Sequence, residues 1–370
     1  MIEEIIAKSF YFFTGAFLLA VIASPSLISF LKKFGIVRKD DRDFSSLIKT
    51  RRSKAGTPVF GGIIIVAVIT LFTVLFNWHR ETTFVPLGVL WLAAILGGAD
   101  DLLNIFYTKE RHPRTLGRIV RFIKIHKELK FRVWYVISFP WQAYKRLFYL
   151  LGSHPGHGVQ AHEKIIIQLV IGGIIAWWMS FKLDWTEVWV PWLGHIDLGL
   201  LIIPVILFIV ILMANAVNIT DGIDGLSAGT LIIAYGAFFP IALQQGSMDI
   251  SLLIATVIGA LGGYLLFNIK PAKYQMGDVA SLGMGVLLVA IAFALDRPIL
   301  LLIIGMIFIL EISSVILQTS WKVLLGKRLL KMSPLHHHLE IIGKEETSIV
   351  MYAWAFASIF AIIGVWLSFQ

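Results

Sequence analysis

Apolar runs of about 17–22 residues alternate along the chain with short polar segments, and roughly 20 apolar helical residues are what a hydrocarbon core of about 30 Å requires. Ten such runs predict helices near 9–31, 59–76, 86–104, 165–181, 199–214, 227–244, 250–267, 279–295, 298–321 and 349–369, the fifth being short. No run joins a charged leading segment to a small-residue cleavage site, so the first helix is expected to be retained. Composition agrees: 58% hydrophobic and 15% charged residues, with a mean hydropathy of +0.82, do not describe a soluble domain. The predicted fold is all-α, a polytopic membrane protein with about ten transmembrane helices and a single domain over residues 1–370.

Basic residues orient it, because cytoplasmic loops collect lysine and arginine. The loops after the first, third, fifth, seventh and ninth runs hold 28 of the 32 Lys and Arg, and the four intervening loops hold only Arg80, Lys182 and Arg297. The odd loops are therefore expected in the cytoplasm and both termini outside. The net charge of +9 follows from this topology and from anionic bilayer lipid, and needs no nucleic-acid partner. Cysteine is absent, which excludes disulfides, thiolate ligands and a cysteine nucleophile.

Against this apolar background the segment Asn215 to Gly229, reading NAVNITDGIDGLSAG, is anomalous. An aspartate in a spanning segment costs roughly 2.5–3.5 kcal/mol, so carboxylates there usually mark an ion, proton or substrate site. Asp221 and Asp224 are spaced i, i+3 and would share a face with Asn218 if the stretch is helical. The other odd loops carry similar residues. Lys54-Ala-Gly-Thr-Pro-Val-Phe-Gly-Gly62 feeds a helix start whose backbone N–H groups suit a phosphate, although the glycines could equally be turn punctuation. Asp100 and Asp101 end the third run, and being 100° apart on a helix they are not expected to face one ligand together. Asp278 opens the eighth run, ten residues after Asn268. A hard cation such as Mg²⁺ is held by one or two carboxylates plus substrate phosphates, so Asp278 and a partner would suffice. In Met332-Ser-Pro-Leu-His-His-His-Leu-Glu340, three adjacent histidines cannot share a helical face, and they lack the spacing of a zinc site.

In this order and on these loops, GTPVFGG, GADD, NAVNITDGIDGL, MGDVASL and MSPLHHHLE resemble the polyprenyl-phosphate N-acetylhexosamine-1-phosphate transferases, with the triple-histidine loop of the branch that uses a UDP-MurNAc-pentapeptide. The resemblance covers essentially the whole chain except residues 107–160. It implies transfer of phospho-MurNAc-pentapeptide from UDP-MurNAc-pentapeptide to undecaprenyl phosphate, giving lipid I and UMP, with Mg²⁺ as cofactor, in a bacterial cytoplasmic membrane. It further implies that Asp100, Asp101, Asp278 and His336 are catalytic, Asp100 being the favoured base. Asp278, with Asp221 as partner, would hold the metal. Lys54, Lys164, Asn218, Asp221, Gly222, Ile223, Asp224, Asn268, His337 and His338 would line the substrate cleft, with Gly222 and Ile223 beside the uracil. A homodimer stays open.

Some positions depart from the family pattern: Gln275 stands where an aromatic residue usually precedes Met-Gly-Asp, Val59 replaces a threonine, Asn104 a lysine, and Val279-Ala280 a Thr-Gly pair. The largest departure is the basic, aromatic loop 107–160. Its segment 131–151 is interrupted by Arg132, Pro140, Lys145 and Arg146, which fits an interfacial amphipathic helix better than an eleventh span. Two other functions compete. A transferase of UDP-N-acetylglucosamine would keep the aspartates but not the histidine loop, and a secondary transporter would place its ionisable residues near the bilayer midplane rather than at helix ends.

Overall fold

The computed structural model describes residues 2–38, 54–106, 121, 128–150, 159–182 and 185–370, and thirteen α-helices carry most of these. They are α1 (Ile2–Lys33), α2 (Ile63–Phe76), α3 (Phe84–Phe106), α4 (Leu129–Leu150), α5 (Ala161–Trp177), α6 (Ile202–Thr220), α7 (Leu226–Gln244), α8 (Met248–Asn268), α9 (Asp278–Ala294), α10 (Leu301–Ile304), α11 (Met306–Leu325), α12 (Leu335–Ile341) and α13 (Glu346–Leu367). Among the described residues, eight helical stretches are long and apolar enough to cross a membrane. Two shorter apolar helices, α2 and α9, bring the total to the predicted ten.

α9 explains why a 17-residue helix can stand among longer ones. Every residue from Val279 to Phe293 is buried. It packs on α3 and α6 and touches α2 and α7, so it meets protein on all sides, as a helix that is hydrophobic all round must. Around it, α1 lies along α8, α7 joins α8 to α13, and α5 covers α6. Gly97 on α3 makes the closest approach to this central helix: a Cβ there would stand 1.9 Å from the carbonyl oxygen of Asp278. Gly97→Ala is therefore expected to destabilise the protein by about 1–3 kcal/mol, read as a lower thermal midpoint in detergent. Gly88→Ala, in the same helix with nothing within 4 Å of its Cβ position, should not.

Three expectations need correction. The ninth run is not one helix: a 3₁₀ turn at Pro298–Leu300 and the single turn α10 precede Gly305, after which α11 runs on to Leu325. The sixth helix extends to Thr220, because Asn215 and Asn218 cap their polarity on neighbours instead of ending the helix. The fold also holds a hairpin that an all-helical reading missed, with β1 (Glu187–Val190) antiparallel to β2 (Gly194–Asp197). It stands at the end where Trp192 meets Trp366, near the chain terminus, and Arg297 lies over Trp189 at 3.9 Å. Both termini sit at that end, because α1 and α13 each place their other end beside the carboxylate cluster described next.

Candidate active site

Four carboxylates converge where α3, α5, α6 and α9 meet. Asp278 is the first residue of α9, set there by Gly277, whose φ of +74° only glycine adopts without strain. The free N–H groups that open a helix must find acceptors. That of Gly277 donates to Asp221 Oδ2 at 3.3 Å and that of Val279 to Asp101 Oδ2 at 3.1 Å. The Asp278 carboxylate then points to Lys164, 2.8 Å from Nζ, and accepts from Asn218 Nδ2 at 2.7 Å. Lys164 closes the group by pairing with Asp100 Oδ2 at 2.7 Å. Asp100 also accepts the Val159 N–H at 2.6 Å and the Asn104 amide at 3.2 Å.

The neighbouring aspartates of α3 thus face different ways, as their 100° separation requires. Asp100 meets the ammonium of Lys164, whereas Asp101 caps the central helix. Asp101, Asn218, Asp221 and Asp278 line one cavity of about 390 Å³ together with Arg38 and Gln275, whose side chains are hydrogen-bonded at 3.3 Å. Burial, reinforced by the charge of Asp278, pushes the Asp221 carboxyl up to about 8, against the opposing Gly277 N–H and the more distant Lys54.

A second cluster adjoins the first. Lys54 Nζ is 2.8 Å from Asp224 and also pairs with Glu346, which Lys270 reaches at 3.1 Å. Glu346 Oε1 accepts the Asp224 N–H at 3.0 Å, and Asn268 accepts that of Gly225 at 3.0 Å. This loop between α6 and α7 is a knot of buried charges. His336, wholly buried, donates its backbone N–H to Glu311 at 3.2 Å and sets Nδ1 3.0 Å from the same carboxylate. Its Nε2 lies against Gly222, where a Cβ would come within 2.1 Å. His337 pairs with Glu340 at 2.7 Å and His338 accepts the Lys331 N–H at 3.3 Å, so of the three histidines His336 is the one set against the α6–α7 loop.

Three site expectations change. Asp221 and Asp224 do not share a helical face, because α6 ends at Thr220; one turns to α9 and the other to Lys54. The glycine-rich turn before α2 offers no phosphate cradle, since Gly61 and Gly62 donate to the carbonyls of Gln275 and Met276 at 2.9 and 2.8 Å. A Cβ on either would strike Tyr274, Gln275, Met276 or Ala280, so these glycines serve close backbone pairing. The Ile223 side chain packs with Leu226, Ile349 and Val350 instead of lining the cleft.

A glycosyl transferase family 4 profile matches residues 156–296. The phospho-N-acetylmuramoyl-pentapeptide-transferases of Anoxybacillus flavithermus and Geobacillus thermodenitrificans are each 33% identical over 95% of this chain and 95% of their own length. That of Bacillus subtilis is 33% identical over 99% of both. The chain belongs to the phospho-N-acetylmuramoyl-pentapeptide-transferase family. It is thus a multi-pass bacterial membrane enzyme, and the clusters above occupy the lysine-rich end of a family transferase.

Sequence reading missed two residues of this end. Glu311 stands in mid-span, where an intramembrane carboxylate is itself a signal. Glu346 resembled an ordinary acidic first-turn residue of α13, favourable to the helix dipole, and nothing local set it apart.

Metal binding can be weighed on the same donors. Among the described residues no three carboxylate or imidazole groups are spaced to enclose an ion. Mg²⁺ needs no such cage, since it keeps waters and takes one or two carboxylates plus substrate phosphates. Asp221 and Asp278 on one cavity wall, the first able to give up its proton to an incoming ion, fit that demand.

Proposed function

We propose that this enzyme transfers phospho-MurNAc-pentapeptide from UDP-MurNAc-pentapeptide to undecaprenyl phosphate, producing lipid I and UMP with Mg²⁺ as cofactor. The observation that carries this reading is the convergence of Asp100, Asp278 and Lys164 beside an open cavity at the lysine-rich end of a span bundle. Phosphoryl transfer rests on positioning and on charge stabilisation at the transferring group, and this geometry supplies both.

In this reading Lys164, held between two carboxylates, moves onto the diphosphate and offsets its charge. Asp100 stays fixed by the Val159 N–H and orients the lipid phosphate; with a second pKa near 6 that phosphate is largely ionised at neutral pH, so little proton abstraction is required. Asn218 holds Asp278 in place, while His336 borders the loop that receives the nucleotide. Asp278 and Asp221 would hold Mg²⁺, which would supply Lewis-acid polarisation of the diphosphate. Lys54, Gly222, Asp224, Asn268, His337 and His338 shape the surrounding wall.

The raised Asp221 carboxyl gives a pH signature. Without metal it keeps a proton in the folded state that an unfolded chain would release near pH 3.8, so its contribution to stability declines as pH rises from about 4 to 8. Divalent-ion binding must displace that proton, so affinity should rise by up to about tenfold per pH unit until about pH 8. Calorimetric Mn²⁺ titrations in buffers of different ionisation enthalpy read the proton directly; pH-independent affinity in the wild type would count against Asp221 as a ligand.

The activity itself is tested by incubating purified enzyme with radiolabelled UDP-MurNAc-pentapeptide. Label should enter the butanol-extractable lipid only when undecaprenyl phosphate and Mg²⁺ are both present. Lipid labelling that survives chelation of divalent ions would contradict the metal assignment.

A further inference from the structure

Among the described residues, α4 is the one long helix whose apolar residues are left open with no span to explain them. It is 22 residues long, yet it is not among the eight stretches apolar enough to cross a membrane. Its sequence, LKFRVWYVISFPWQAYKRLFYL, carries Lys130, Arg132, Lys145 and Arg146 and no acidic residue. Between those basic ends lies an open apolar segment, with Trp134 64%, Val136 55% and Ile137 67% exposed. Large apolar residues gathered this way on a surface mark a place of contact.

The surroundings say what makes the contact. α4 packs on the start of α5: the Tyr144 hydroxyl donates to the His162 carbonyl at 3.1 Å, and the Trp141 ring lies 5.3 Å from that of His162. His162 precedes Lys164 by two residues, so α4 sits at the level of the active site, where the spans leave the bilayer. Just beyond this contact α5 turns Ile166, Ile167 and Val170 outward, the flank that a span presents to lipid. The contacts of Trp141 and Tyr144 with His162 set α4 next to that flank. Aromatic residues favour this level of a membrane, and basic ends favour an anionic surface.

We propose that α4 is an interfacial anchor that lies on the bilayer surface at the catalytic end, seats Trp134 and Ile137 among the acyl chains, and binds anionic phospholipid headgroups through Lys145 and Arg146. A lipid-facing flank running into a basic, acid-free helix favours a lipid surface over a protein partner or a second copy of this chain. The anchor is independent of the reaction assigned above, and its test does not use turnover.

The chain has no cysteine, so Ile137→Cys gives one labelling position for an environment-sensitive fluorophore on the full-length protein. In nanodiscs of phosphatidylcholine with about one-third phosphatidylglycerol, we expect blue-shifted emission, quenching by nitroxide-bearing lipid and protection from aqueous iodide, with about fivefold or more of that protection lost when Lys145→Glu and Arg146→Glu are combined. Raising salt to about 1 M, where the screening length is about 3 Å, should weaken protection without any further substitution, so a misfolded charge variant would not spare the proposal. Equal iodide access in anionic and neutral nanodiscs would overturn it. So would a blue shift that follows protein concentration instead of lipid composition, which would indicate a second copy of the chain on this face.

Discussion

Asp278→Asn is expected to lower turnover by about 10²–10³-fold or more, the range seen when one preorganised electrostatic group is removed from an active site. The amide is nearly isosteric, so the start of α9 should keep its form through the hydrogen bonds of the Val279 and Gly277 N–H groups to Asp101 and Asp221. What changes is charge. Lys164 would lose the partner at 2.8 Å and settle on Asp100 alone, and Asn218 would face an amide in place of a carboxylate oxygen at 2.7 Å. If Asp278 holds the metal as proposed, the Mg²⁺ concentration needed for half-maximal rate should rise as well. UMP release at saturating substrate measures both. A variant within a few-fold of wild type would remove Asp278 from the reaction.

Lys54→Met should act through stability. Its ammonium stands between Asp224 and Glu346, whose side chains are 5% and 1% exposed. Taking one partner from a buried ion pair leaves an uncompensated charge and costs about 3–5 kcal/mol. Lys270, at 3.1 Å from Glu346, can take up only part of the deficit. The double variant Lys54→Met with Glu346→Gln removes a carboxylate together with the ammonium and should recover a substantial part of the loss. Thermal unfolding in detergent of the two single variants and the double variant yields the coupling. Additive effects would mean that the two side chains do not depend on one another.

Much of this was legible in the chain. Hydropathy and length located every span, including α9, because a buried central helix is as apolar as a lipid-exposed one. The motifs named the loops that meet at the catalytic end. Pairing between those loops was not legible, since it is made by backbone. Gly61 and Gly62 look like a phosphate turn until residues 275–276 are seen accepting their hydrogen bonds. Asp221 and Asp224 look like one helical face until α6 stops one residue short. Glu346 has no signal of its own, because its role is defined by Lys54, 292 positions away. The hairpin escaped because four-residue strands beside a membrane are too short for a periodicity to stand out. Of the loop 107–160, residues Leu129–Leu150 form a helix, and the remainder lies largely outside the described residues.

One comparison of donors tests the central claim most directly. Purified enzyme with Mg²⁺ and undecaprenyl phosphate is given UDP-MurNAc-pentapeptide or UDP-N-acetylglucosamine at equal concentration, and released UMP is followed. The account predicts rapid UMP release from the first and hardly any from the second. The reverse preference, or equal use of both, would contradict it.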